Sequence, residues 1–167
     1  LFEAFNDLER MVDAGMRIRC HGDFHLGQTL VTEDDVVILD FEGEPARPLA
    51  ERREKSSPLR DVAGMLRSFS YLAAATCARA ADAAASPADT QIWERRASRQ
   101  FLDEYLQAIS TAQVLPVDRA AVHALLRVYV VNKAIYEIGY ELNNRPDWVG
   151  LPLLGVLRCL DGAEDEY

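Results

Sequence analysis

Cysteine is scarce and unpatterned in this chain. Cys20, Cys77 and Cys159 are odd in number, far apart and outside any C-x-x-C or C-x-H spacing, which argues against a structural zinc site or a disulfide framework and leaves reduced, packed thiols. Also missing is an uncharged apolar run of the roughly 18 residues that a membrane span needs. The N-terminus carries no basic segment ahead of a cleavable apolar core, so a cytoplasmic protein is expected. Basic runs are absent too. With Lys+Arg 18 against Asp+Glu 27 and a formal net charge of −9, the chain lacks the basic face that nucleic acid or an anionic membrane requires. The expected partner is a small molecule held by specific groups. There is no initiating methionine. The chain starts at Leu1, and Phe2, Phe5, Leu8 and Val12 already keep helical spacing, so it reads as a piece of a longer polypeptide.

What is present fits one domain. The 167 residues, 49% hydrophobic, suffice for one buried core. Residues 1 to about 14 read as an amphipathic helix stopped at Gly15, and Met16–Cys20 as a short extended segment. Thr29–Val31 and Val36–Leu39 are β-prone runs around the polar turn Thr32–Asp35. Residues 45–57 are polar and Pro-rich. Ser57 with Pro58 then caps a helix whose buried stripe is Leu59, Val62, Ala63, Leu66, Phe69 and Leu72/Ala73, running on to Ala85. A second helix, about 90–110, carries Ile92, Leu102, Tyr105, Leu106 and Ile109. A third, from Asp118 to about Asn143, has Leu125, Val128, Val131, Ile135, Ile138 and Leu142 spaced for a core face. Pro152 opens a last short helix, and the stretch near 82–90 reads as a loop. The expected fold class is α+β and mostly helical. Residues 1–54 would carry a helix, two loops and a β-hairpin, and 55–167 a helical subdomain.

The chemistry gathers in His21-Gly22-Asp23-Phe24-His25-Leu26-Gly27-Gln28 and, seventeen residues after Asp23, in Asp40-Phe41-Glu42-Gly43. An aspartate, an amide side chain five residues on and a second aspartate beyond a hairpin keep the order of a kinase catalytic loop and metal-binding loop. Asp23 suits the base that takes a hydroxyl proton. Gln28 and Asp40 offer hard oxygens for Mg²⁺. A lone aspartate is more often a cap or turn residue, but three ordered matches around a hairpin weigh against that reading. Glu42 is either a carboxylate beside the metal or a solvated side chain. Gly22-Asp23-Phe24-His25 also resembles the first metal motif of metallophosphoesterases, a reading that needs further ligands where His123 is the only other histidine. His21 and His25 are expected to brace the loop by hydrogen bonds.

His21 to Gln28 with Asp40 resembles the aminoglycoside and choline phosphotransferase superfamily, whose fold is protein-kinase-like. The resemblance implies that the chain is the C-terminal lobe of such a kinase, with the hairpin carrying the catalytic and metal loops. It also implies that Asp61 holds the catalytic-loop backbone. The phosphate-binding N-lobe would lie upstream of Leu1, so this piece alone would be inactive. The longer strings Asp40–Pro45, Glu51-Arg52-Arg53, Ser57–Phe69, Lys133–Glu137 and Asn144–Trp148 are similar to bacterial maltokinases. That similarity implies ATP and Mg²⁺ as cofactors, maltose as the sugar phosphorylated to maltose 1-phosphate for α-glucan synthesis, Gln28 in place of the usual Asn, and sometimes a fused trehalose synthase.

A sugar site also follows from residue types. Lys133, Tyr136, Glu137, Tyr140, Glu141 and Asn144 lie at helical spacing on one side of the third helix, and Trp148 follows them. Such a strip suits sugar hydroxyls, although Lys133 with Glu137 also fits a surface i,i+4 pair and the strip a solvated face. The resemblance favours Lys133 and Tyr136 as sugar contacts. Arg60, Gly64, Arg67 and Tyr71 make a second strip, whose arginines are expected to brace Glu42, Glu44 or Asp61 rather than touch ligand. Two other functions stay open. One is phosphotransfer to an aminoglycoside or choline, and the other is a non-catalytic module positioning a fused enzyme.

Overall fold

Helix α2 (Leu59–Arg79) is the axis of the computed structural model, which describes residues 13–79 and 86–160. The helix expected over residues 1 to about 14 lies almost wholly outside the described residues, as does the Ala-rich continuation to Ala85. Around α2 pack α3 (Pro87–Ala108), α4 (Arg119–Asn144) and α5 (Gly150–Leu160). A four-residue helix α1 (Leu49–Arg52), two 3₁₀ turns (Leu26–Gln28 and Pro146–Trp148) and one hairpin complete the described elements.

The three long helices begin where the sequence gives them a cap. The Ser57 hydroxyl accepts from Leu59 N, with Pro58 in a position where its missing N–H costs nothing. Ser86 and Asp89 form a reciprocal capping box ahead of α3, so part of the stretch read as a loop opens a helix. The Asp118 carboxylate accepts from Ala120 N at the start of α4. Gly15, with φ +72, takes the left-handed conformation expected where the first segment ends.

The core joins Leu59, Val62, Ala63 and Leu66 of α2 to Leu102 of α3, Val122, Leu126, Val130 and Val131 of α4, and Cys159 of α5. Burying each of the larger aliphatic side chains contributes roughly 1.5–3 kcal/mol. The α2 stripe is the expected one except at Leu72, which is exposed. The other two stripes differ. On α3 the buried line is Thr90, Glu94, Ser98 and Leu102, whereas Ile92 is exposed. Glu94 can be buried because Arg158 of α5 reaches it at 3.1 Å. On α4 the buried line is Val122, Leu126, Val130, Val131, Ala134 and Glu141, and Ile135 and Leu142 are 54% and 56% exposed. The helix is thus turned from its expected face, because an alanine and a paired glutamate occupy positions that hydrophobicity alone would not select.

Strands β1 (Thr29–Val31) and β2 (Val36–Ile38) pair antiparallel, Thr29 opposite Ile38 and Val31 opposite Val36. Thr32 closes the turn by accepting from Asp35 N. Residues 13–20 form no strand; a single bridge, Ile18 to Ser56, leads the chain toward His21.

Candidate active site

The His21–Gln28 loop is held from below by α2. Asp61, in the first turn of that helix, accepts from His21 N at 2.6 Å and Gly22 N at 2.9 Å. Ser68 Oγ accepts from Leu26 N. Gly64 is where the loop lies closest to the helix, since a Cβ there would come within 2.5 Å of the Phe24 carbonyl oxygen. Gly22 and Gly43, at φ +88 and +80, let the two loops touch backbone to backbone, and a Cβ on Gly22 would sit 3.3 Å from Gly43 Cα.

His21 ties this loop to the end of the hairpin. Its Nε2 lies 2.7 Å from the Leu39 carbonyl, which can only accept, so that nitrogen carries the proton. Nδ1 is then free to accept from Asp23 N at 3.4 Å. His25 is arranged in the same sense. Its Nδ1 accepts from Gly27 N, and its Nε2 faces Asp23 Oδ2 at 3.7 Å.

Asp23 is the focus of these contacts. Its side chain is 13% exposed, and Lys133 of α4 donates to Oδ1 at 3.2 Å. Burial raises its pKa, but the His25 N–H and the Lys133 ammonium outweigh burial and hold the carboxyl well below the usual carboxylate range. It is therefore an ionised acceptor at neutral pH.

Gln28 and Asp40 meet at the open end of the hairpin, with Gln28 Nε2 donating to Asp40 Oδ2 at 3.3 Å. Turning the Gln28 amide over presents its oxygen instead. Asp40, at φ +60, is one of two non-glycine residues in left-handed backbone among the described residues, and the loop turns sharply there. Two hard oxygens at an exposed edge fit Mg²⁺, which keeps waters and substrate oxygens as its remaining ligands. Glu42 is turned toward Arg52 at 3.6 Å. Among the described residues there is no group of three or more His, Cys, Asp and Glu side chains placed to hold a metal.

Beside Asp23 lies a cleft of about 160 Å³, lined by Asp23, Glu44, Arg47, Arg60, Asn132, Lys133 and Tyr136 among others. Lys133 Nζ sits over the Tyr136 ring at 5.1 Å. Burial and the adjacent Glu44 carboxylate push the Tyr136 hydroxyl well above its ordinary pKa. Glu44, Arg47 and Asn132 were not singled out as ligand contacts in the sequence; the fold of residues 43–58 brings Glu44 and Arg47 to the cleft, and Asn132 reaches it from α4 beside Lys133.

The remaining strip residues are engaged elsewhere. Glu137 does not pair with Lys133. It accepts from Arg67 Nη2 at 2.8 Å and Nε at 3.2 Å, so Arg67 braces neither Glu42, Glu44 nor Asp61. Glu141 accepts from Tyr71 and from both Arg145 Nη2 and Nε. Trp148 stacks on Tyr71 at 6.3 Å with 13° between the rings, beneath the Arg145 guanidinium, and Tyr140 lies under the same group. Arg60 does face the cleft, and its Nη2 reaches the Gly22 carbonyl at 3.4 Å.

A loop-held aspartate, an amide and carboxylate pair on a hairpin, and a helical support define a kinase-like lobe. Comparison with known proteins agrees. The chain is 30% identical over 143 residues to a glucosamine kinase of Streptacidiphilus jiangxiensis, covering 86% of the chain and 32% of that protein. It is 33% identical over 144 residues to a glucosamine kinase of Mycolicibacterium smegmatis, covering 84% and 34%. Solved structures of glucosamine kinase superpose with a TM-score of 0.80 at 25% identity, over 95% of this chain and 37% of that one, and 0.81 at 25%, over 98% and 39%. A glucosamine kinase in complex with glucosamine, ADP and inorganic phosphate shares the fold at a TM-score of 0.80, 24% identity, 98% of this chain and 40% of that one. No family model matches. The homologues are thus glucosamine kinases, sugar kinases with a kinase-like lobe, and the chain spans about a third of the length of the curated relatives it matches. Among the described residues no helix is long and apolar enough to cross a membrane.

Proposed function

We propose that this chain is the lobe carrying the base and sugar site of an ATP-dependent sugar kinase, and that its acceptor is an aminosugar. The observation that carries the reading is Asp23. It is ionised, held on both oxygens, and opens into a polar cleft shared with Lys133 and Tyr136. Phosphoryl transfer asks a protein chiefly for positioning and charge stabilisation. Asp23 would orient the acceptor hydroxyl and take its proton. Lys133 and Tyr136 would hold the sugar ring. Asp61 and His21 keep the loop in place while this happens. Gln28 and Asp40 would hold Mg²⁺, which would supply positive charge to offset that of the nucleotide phosphates.

The glucosamine kinase relatives support the aminosugar. The longer strings around Asp40–Pro45, Ser57–Phe69 and Lys133–Glu137 favour a second reading, maltose as acceptor. Residues 1–167 are taken as one domain, completed in the whole protein by a nucleotide-binding lobe. A coupled ADP-release assay on the full-length protein with Mg-ATP, comparing glucosamine, glucose, maltose, choline and kanamycin, separates these readings. Glucosamine-dependent turnover abolished by Asp23→Asn is expected. Turnover with maltose alone would replace the acceptor, and turnover insensitive to Asp23→Asn would overturn the assignment of the base.

A further inference from the structure

We infer that Glu44 is the residue that selects an ammonium-bearing sugar, by taking the amino group of the acceptor in a charge-assisted contact at the side of the cleft carried by Tyr136. The inference rests on the sugar-kinase reading above and adds to it the origin of specificity.

Three carboxylates line the cleft, Asp23, Glu44 and Asp61, and two are fully engaged. Asp61 accepts from two backbone amides of the catalytic loop. Asp23 is tied to Lys133 on one oxygen and faced by His25 on the other. Glu44 differs from both. It is half-buried, and its contacts are the Ala46 amide at a long 3.4 Å and the neutral Tyr136 hydroxyl, which faces it. Among the described residues it has no ion pair. Arg47 stands three residues on and lines the same cleft, but its guanidinium lies 3.8 Å from Glu51. Arg60 reaches the Gly22 carbonyl, and Lys133 reaches Asp23.

A carboxylate left without a cation at the wall of a small polar cleft is a receptor for one, because a charged partner there restores what partial desolvation removes. Tyr136 sets the geometry. Its hydroxyl is an electrostatic neighbour of the Glu44 carboxylate, its ring lies under Lys133 at 5.1 Å, and Lys133 in turn reaches Asp23, so all four side chains share one cleft wall. A sugar lying across that wall would offer its hydroxyl to Asp23 and its amino group to Glu44. A neutral hexose would leave Glu44 without its cation, which is how such a site discriminates.

The test is Glu44→Gln, which keeps shape and removes charge, in the full-length protein with glucosamine and glucose as acceptors. The expected result is a fall of about ten- to hundred-fold in the ratio of kcat/KM for glucosamine to that for glucose. A matching selective loss of glucosamine binding is expected by calorimetry, and Glu44→Asp should restore part of the preference. Equal losses for both sugars, or an unchanged ratio, would overturn the inference and leave the kinase reading standing. Calorimetry separates the two because it needs no turnover. If the protein turns over no sugar, the kinase reading fails, and the inference then fails as well if Glu44→Gln does not weaken glucosamine binding more than glucose binding.

Discussion

Helices α2 and α4 face each other along one polar seam, and its two ends behave differently. At the Gly64 turn the seam opens: Lys133 and Tyr136 stand in a cleft beside Asp23. One turn further it closes. Arg67, 1% exposed, is clamped on Glu137, and its guanidinium lies so close over Gly155 of α5 that no Cβ would fit there. Beyond it Glu141, 2% exposed, joins Tyr71 to Arg145, with Trp148 stacked on the outside. Residue types and helical spacing are alike at both ends. The difference is whether the opposing helix supplies a partner. At the closed end Arg67 of α2 meets Glu137 of α4, and Glu141 of α4 meets Tyr71 of α2 and Arg145 just past its own helix, whereas at the open end the α2 residue is a glycine approached by the Phe24 carbonyl.

The sharpest break of this comparison is removal of Asp23. In the full-length protein Asp23→Asn is expected to lower kcat by about 10²–10⁴-fold, the range of a lost general base, while unfolding shifts by less than about 1 kcal/mol. Arg67→Ala should do the reverse. It leaves Glu137 half-enclosed without its cation, an effect of about 3–5 kcal/mol for a broken buried pair, seen as a large drop in the urea midpoint of the full-length protein. Arg67→Met with Glu137→Leu, which removes both charges, should recover much of the loss. If Arg67→Ala instead changed KM for the sugar at unchanged stability, the closed end would be ligand-binding after all.

A smaller effect is expected at the boundary between the two ends. Gly64→Ala places a methyl 2.5 Å from Phe24 O, so the His21–Gln28 loop must move off the helix. Overpacking of this kind costs about 1–3 kcal/mol, and because Phe24 adjoins Asp23, kcat should fall more than KM rises. A variant with wild-type kcat would mean that the loop position is not set by this contact.

The seam explains why part of the site could be read from sequence and part could not. The meeting of Gln28 and Asp40 was legible because a hairpin of known turn chemistry brings them together locally, whatever the rest of the chain does. Asp61 was reached only through family resemblance, since nothing in its own residue type distinguishes an anchor for two amides from an ordinary first-turn carboxylate. Glu137 and Tyr140 were read as sugar contacts from residue type and helical spacing, and Trp148 as an aromatic in the loop that follows. Helical spacing gives a face but not its neighbour, and Arg67, which pairs with Glu137, and Tyr71, which donates to Glu141, each lie 70 residues away in sequence. The same ignorance of neighbours turned α4 in the wrong direction, with Ile135 and Leu142 outside and Glu141 inside. Glu44 and Arg47 were hidden in a Pro-rich stretch whose path has no period to read.

The smallest effect tests what Lys133 does at the open end. The Asp23 carboxyl titrates well below the usual range in the folded protein, against about 3.9 in an unfolded chain. The unfolded state therefore takes up protons first as the pH falls. The stability contributed by the ionised group is complete above about pH 4 and is lost as pH falls through the depressed folded value. Lys133→Met removes one cause of that depression while keeping the stem packed on Tyr136. The variant should be modestly less stable than wild type near pH 7, by about 1 kcal/mol or less for a pair partly open to solvent, and the gap should begin to narrow below about pH 4 and close only as pH falls toward the depressed folded value. Urea unfolding of both full-length proteins from about pH 7 down to about pH 1.5 measures it. A gap that stays constant over that range would mean that Lys133 acts through packing on the ring and not through its charge on Asp23.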